Sequence, residues 1–185
     1  MKISNIFASL LLTVFLFSCK NETKEQKQET VVKEEKKELN DELFTITMNA
    51  VVKKDDSFQV YYKNEEKDQF VEDKSLYNVF KGSEQAQDIQ FVLPKGEAPN
   101  YLRFDFGINK EQPEILINSI KLDYLGQNFT INNKELANFI SFNIGTLKFN
   151  QEKGSIEPFT TKDGFYDPMS FTAQTLYDKI QILKK

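Results

Sequence analysis

Apolar and polar residues alternate along most of the chain from Leu43 onward, in short runs separated by turn-forming residues. Phe44, Ile46 and Met48 take turns with Thr45, Thr47 and Asn49, a period of two that buries one set and predicts a strand. Lys54-Asp55-Asp56-Ser57 reads as a polar turn. Phe58, Val60 and Tyr62, alternating with Gln59 and Tyr61, predict a second strand paired with the first as a hairpin. Residues 63–75 are polar and predict a loop, followed by a short strand over Leu76 to Phe80 that ends at Lys81-Gly82-Ser83. Ile89, Phe91 and Leu93 form the next run, which Pro94 stops because it has no N–H for a ladder. The clearest alternation sets Leu102, Phe104 and Phe106 on one face and Tyr101, Arg103 and Asp105 on the other, closed by Gly107. In the long run Ile115 to Leu125, Ile115 and Ile117 are in phase while Ile120, Leu122 and Tyr124 are displaced by one. One extra residue near Asn118-Ser119, a β-bulge, produces that shift. Gly126 then turns the chain into Phe129 and Ile131.

Two later segments change period. Leu136, Phe139 and Ile140 share one helical face after Asn133, a residue suited to capping. Leu176, Ile180 and Leu183 do the same in a stretch from Thr172 that finishes in lysines, as the helix dipole favours. Gly145 to Thr161, between them, predicts a hairpin. Short strands at this spacing predict a mainly β fold over residues 43–185: a two-sheet antiparallel β-sandwich, jelly-roll-like, with one or two short helices towards the C-terminus. Phenylalanines, fourteen of the chain's seventeen in this stretch, supply its core.

The first 42 residues follow a different logic. Met1 and Lys2 give a positive start, and Ile6 to Phe17 is almost wholly apolar. A spanning helix needs about 20 apolar residues, whereas this run stops after about 12 and meets Lys20, Glu22, Lys24 and Glu25. That is the layout of a secretory signal. Leu16-Phe17-Ser18-Cys19 at its end resembles the lipobox of bacterial lipoproteins, with Phe17 where a small residue is usual. The resemblance implies cleavage after residue 18, acyl chains on Cys19 and a protein held at the outer membrane, on its periplasmic face or at the cell surface. The partner is then the membrane itself. Each buried methylene contributes roughly 0.8 kcal/mol, so several acyl chains anchor firmly where one is marginal. Residues 19–42 are dense in Lys, Glu and Gln and read as a charged tether; as a flexible coil of about 20 residues it spans roughly 25 Å. A short charged helix is the rival form of the same spacer.

Composition narrows the chemistry. There is no histidine, and the single cysteine is the one in the lipobox-like motif, so Ser-His-Asp and Cys-His catalysis and the commonest zinc, haem and iron–sulfur ligations are excluded. The net charge of −4 is spread among interspersed lysines and acids, which gives nucleic acid no basic patch to bind. No cofactor is called for.

The hairpin FTITMNAVVKKDDSFQVYY and the strands YLRFDFG and ILINSIKLDYLG resemble the β-sandwich domains of carbohydrate-binding-module type found in exported proteins of Bacteroidota. The resemblance implies a sandwich and a sheet face able to meet a glycan. Gln59, Tyr61, Tyr101, Arg103 and Asp105 are the candidates: flat rings stack on sugar C–H faces, and planar polar groups bind hydroxyls. Arg103 and Asp105, two apart on one face, equally suit mutual pairing on a solvated sheet, and the absence of tryptophan removes the preferred stacking ring. Asp55 and Asp56, with Asp105 or Asp123, offer oxygens for calcium, but the spacing matches no calcium loop, so no metal is assigned. The expectation is a lipid-anchored, non-catalytic envelope protein whose domain binds an envelope glycan or assembles with something else. The alternatives are an accessory subunit docking another envelope protein and a glycosidase using two carboxylates.

Overall fold

A computed structural model describes residues 42–185; the leader, Cys19 and the tether as far as Asp41 lie outside the described residues. Eleven strands form two antiparallel sheets. One sheet has the order β4-β1-β6-β10-β9, from β1 (Thr45–Val51), β4 (Gln87–Val92), β6 (Ile115–Tyr124), β10 (Ser155–Pro158) and β9 (Leu147–Asn150). In it β7 (Gln127–Asn132) also pairs with β6. The other has the order β3-β2-β5-β11-β8, from β3 (Ser75–Phe80), β2 (Asp56–Lys63), β5 (Tyr101–Asp105), β11 (Met169–Thr172) and β8 (Ile140–Phe142). Helices α1 (Leu136–Phe139) and α2 (Gln174–Leu183) complete the predicted mainly β sandwich near its C-terminus.

The period of two is plain in β1, β4 and β5, where every second residue is buried. Phe44, just before β1, and Ile46, Met48 and Ala50 from β1 share one core between the sheets with Phe58, Val60 and Tyr62 from β2 and Leu102 and Phe104 from β5. Phe58 meets Phe80 and Phe106 edge to face, with ring centroids 4.9 and 5.9 Å apart, an arrangement the ring quadrupoles favour. The bulge in β6 falls where the phase shift put it. Ser119 pairs with Asn49 and Ile117 with Ala50, so Asn118 is the extra residue.

The expected β1–β2 hairpin does not form. β1 pairs with β4 and β6, and β2 with β3 and β5, so the chain between them crosses from one sheet to the other. Two alternating strands can bury one face of a shared sheet or face each other across a core. Here the second arrangement lets Phe44 to Val52 and Phe58 to Tyr62 cover one another. Asp56, almost fully buried at the crossing, holds it in place. Its carboxylate accepts backbone N–H bonds from Ser57, Ile108 and Asn109 at 2.9, 2.8 and 3.2 Å and the Gln112 amide at 2.9 Å. Gln112 returns to the Lys54 backbone through both of its amide atoms. At Gly107, φ is +103° and a Cβ would stand 2.3 Å from an Asp56 oxygen, so only glycine fits beside the carboxylate.

Candidate functional site

The outer face of the β3-β2-β5-β11-β8 sheet carries all five predicted site residues. Cross-strand register sets Gln59 opposite Asp105, Tyr61 opposite Arg103 and Lys63 opposite Tyr101. On the other side of β2, Gln59 lies opposite Tyr77 and Tyr61 opposite Ser75.

Four of the five belong to one network. Arg103 donates to both oxygens of Asp105 at 2.7 Å and reaches Asp167 at 3.3 Å, while its guanidinium lies 4.9 Å from the Tyr61 ring centre. The mutual pairing of Arg103 and Asp105 is thus present, and Asp167 and the ring extend it. Burial pushes the Asp105 carboxyl up to about 6 against the pull of the guanidinium, and the nearby charges of Asp167 and Glu72 add to the push.

The centre of the face is a residue that the polar run 63–75 did not single out. Glu72 accepts hydrogen bonds from the Tyr61 hydroxyl at 2.7 Å, the Tyr77 hydroxyl at 2.7 Å and the Gln59 amide at 3.1 Å. The Tyr77 and Tyr61 hydroxyls hold its carboxyl below the usual glutamate range. Burial, with Glu72 beside it, pushes the Tyr61 phenol up to about 12, so Tyr61 is a neutral donor at any physiological pH. Tyr77 is 58 % exposed and presents most of its ring to solvent.

Tyr101 is separate. Its ring packs against Tyr177 of α2 with centroids 5.2 Å apart, and Lys63 lies over it at 5.3 Å. The Lys63 ammonium also donates to the carbonyls of Glu66 and Asp68, which draws the 64–71 loop down beside this end of the face. Glu72, Tyr77 and Asp167 are the members that sequence reasoning missed. Tyr77 alternates with the inward side of its strand and was readable as outward; Glu72 opens a short 3-10 turn (Glu72–Lys74) and Asp167 lies in an aperiodic loop, where nothing local marks them.

The face is open and shallow. Two clefts of about 560 and 700 Å³ lie elsewhere, one beside Glu114, Lys148 and Glu157, the other between Asp55, Phe80 and Ile108, and neither is lined by any of the five predicted residues. Asp55 is engaged by Lys81 and the Gly82 N–H, Asp56 by four donors, Asp105 by Arg103 and Asp123 by Lys121. Each of the four weighed for calcium is therefore already engaged by its own donors. Among the described residues no group of three or more acidic or cysteine side chains is placed to hold a metal ion.

No protein-family model matches the chain, and no curated protein and no solved structure matches it either.

Proposed function

We propose that the protein is a lipid-anchored, non-catalytic binding module of the bacterial envelope whose sheet face around Tyr61 and Tyr77 receives a polyhydroxylated polymer, an envelope glycan. One observation carries this reading: Glu72 fixes two tyrosine rings by their hydroxyls beside a planar Gln59 amide and a planar Arg103–Asp105 pair. Rings held in advance lose little side-chain entropy when a sugar stacks on them. The same geometry supports binding rather than hydrolysis, because both oxygens of Asp105 are taken by Arg103 on an open face instead of flanking a cleft.

The test is a glycan array probed with the protein and with Tyr77→Ala and Tyr61→Ala. Each substitution is expected to weaken a positive signal by about tenfold, the loss of one stacked ring. Signals unaffected by both changes would remove the face from the reading. The anchor has its own assay: Cys19→Ser is expected to move the protein from the membrane pellet to the soluble fraction.

Docking of another envelope protein is the second reading. Val79 and Ile108, 80 % and 75 % exposed, line the same cleft beside this sheet, and such apolar exposure suits a protein better than a sugar. One protein co-purifying in fixed ratio, with an empty glycan array, would favour it.

A further inference from the structure

Glycans differ in charge. Hydroxyls alone are neutral, uronic acids and phosphates are anionic, and unacetylated amino sugars carry ammonium groups. Which of them a sheet face admits depends on the charges that the face leaves uncompensated. The strands of the β3-β2-β5-β11-β8 sheet turn two cations outward, Lys63 and Arg103, and both are already engaged. Lys63 donates to the Glu66 and Asp68 carbonyls, on a loop that also carries Glu65. Arg103 is shared by Asp105 and Asp167, two carboxylates for one guanidinium. Glu72 adds a further negative charge, and among the described residues its carboxylate meets no lysine or arginine, only the neutral Tyr61, Tyr77 and Gln59 side chains. A carboxylate has about four lone-pair sites, two on each oxygen. Glu72 Oε1 receives both Gln59 and Tyr77, whereas Oε2 receives Tyr61 alone, so one acceptor position stays open. Glu72 is exposed, which puts that position within a ligand's reach. The rings beside it attract cations as well. Arg103 already stands over Tyr61, and the mostly exposed Tyr77 ring has no cation over it among the described residues.

We infer that the face selects amine-bearing glycans, with Glu72 as the specificity-determining residue: its open oxygen takes the ammonium of an amino sugar whose ring lies on Tyr77. This rests on the glycan reading above and narrows it to one chemical class. An ammonium gains a charge-assisted hydrogen bond, roughly twice as strong as the neutral bond a hydroxyl or an acetamido N–H makes in the same place. The Tyr77 ring adds cation–π attraction. A uronate or phosphate meets carboxylates instead, and the guanidinium that would suit it is held by two acids. Asp167, whose two oxygens share a single Arg103 nitrogen at 3.3 Å, reinforces the same preference.

The experiment measures binding of the full chain carrying Cys19→Ser to three oligomers of equal length: glucosamine with free amines, the same oligomer N-acetylated, and a uronic acid. Mildly acidic buffer keeps the amines protonated, while Glu72, held below the usual glutamate range, stays ionised. The free amine is expected to bind about tenfold tighter than the acetylated form, with the uronic acid weakest, and added salt to shrink the gap. Glu72→Gln keeps the shape of the side chain without its charge and is expected to cut the amine-to-acetyl ratio to about twofold. Asp167→Asn should lower the ratio by less, and with the salt response of the parent it carries the test if Glu72→Gln fails to fold. Equal affinity for amine and acetylated oligomers, or a preference that survives Glu72→Gln, overturns the inference and leaves the glycan reading standing. An oligolysine of matching charge that binds as tightly also overturns it, because charge without a sugar would then suffice. Silence toward all three oligomers overturns it too, and the glycan array then decides the wider reading separately.

Discussion

Leu125 occupies the first position of the two-residue turn between β6 and β7 with φ of +51°, and Gly126 follows at +72°. Tyr124 and Gln127 pair on either side, so this is a hairpin turn in which both central residues are left-handed. Glycine adopts that conformation freely, whereas a leucine there is strained by roughly 1 kcal/mol. Leu125 is 48 % exposed and gives up little burial if replaced. Leu125→Asn is therefore expected to raise stability by about 1 kcal/mol, seen as a higher urea midpoint at unchanged m-value. Asp105 gives the opposite kind of effect. Its folded carboxyl titrates near 6, above the ordinary value of 3.8, so between those two pH values the folded protein holds a proton that the unfolded chain has lost. Stability from this group is complete below the lower value and falls as pH rises to the upper, by at most about 3 kcal/mol. Glu72, Asp55, Glu114 and Asp163 have lowered values and tilt the curve the other way at lower pH, so the measurable quantity is a difference. The gap in unfolding free energy between Asp105→Asn and the parent should change between pH 4 and 6 and level off above 7. At this scale the sequence made Arg103 and Asp105 visible because they sit on a strand with a clear period. Glu72 and Asp167 were hidden because the register that brings them to the same face is a tertiary fact.

Among elements, alternation reports which face of a strand is buried and says nothing of which strand lies beside it. The bulge in β6 was legible because an extra residue changes the phase of the pattern itself, from Ile117 to Ile120. The crossing between β1 and β2 was not, since Phe44 to Met48 and Phe58 to Tyr62 alternate identically in a hairpin and in a pair of facing sheets. β8 and β11, with three and four residues, are too short to show any period. The residue that distinguishes the two topologies is Asp56. In a hairpin it would be a solvated turn acid, but here it is almost fully buried and satisfies donors from the crossing and from the loop after β5. Asp56→Ala would leave three backbone N–H groups and the Gln112 amide without that acceptor. A loss of about 3–5 kcal/mol is expected in chemical denaturation, far above the usual cost of changing a turn residue. A loss below about 0.5 kcal/mol would mean that the carboxylate is solvated and that the crossing is held by other contacts.

For the domain as a whole, the question is what closes the sandwich once eleven strands have been laid down. Helix α2 packs against β7 of one sheet, β11 of the other, and α1, so a single amphipathic element touches both layers. Its inward stripe is Leu176, Ile180 and Leu183, all buried, at the spacing a helix needs to present one face. The chain end is also fastened by polar contacts. Gln181 and Lys184 both donate to the Asn100 side-chain oxygen at the start of β5, and Asn100 in turn donates to the Asn64 carbonyl. If α2 is part of the common core, a cavity in its inner stripe must weaken both sheets together and not merely fray the terminus. Ile180→Ala is expected to cost about 2–5 kcal/mol, with far-UV and near-UV signals still melting together. Ile182, on the same helix but 58 % exposed, is the internal control, and its replacement by alanine should change stability by no more than about 0.5 kcal/mol. Equal small effects at both positions would make the helix an appendage. Separate transitions after Ile180→Ala would show that the two sheets hold together without it.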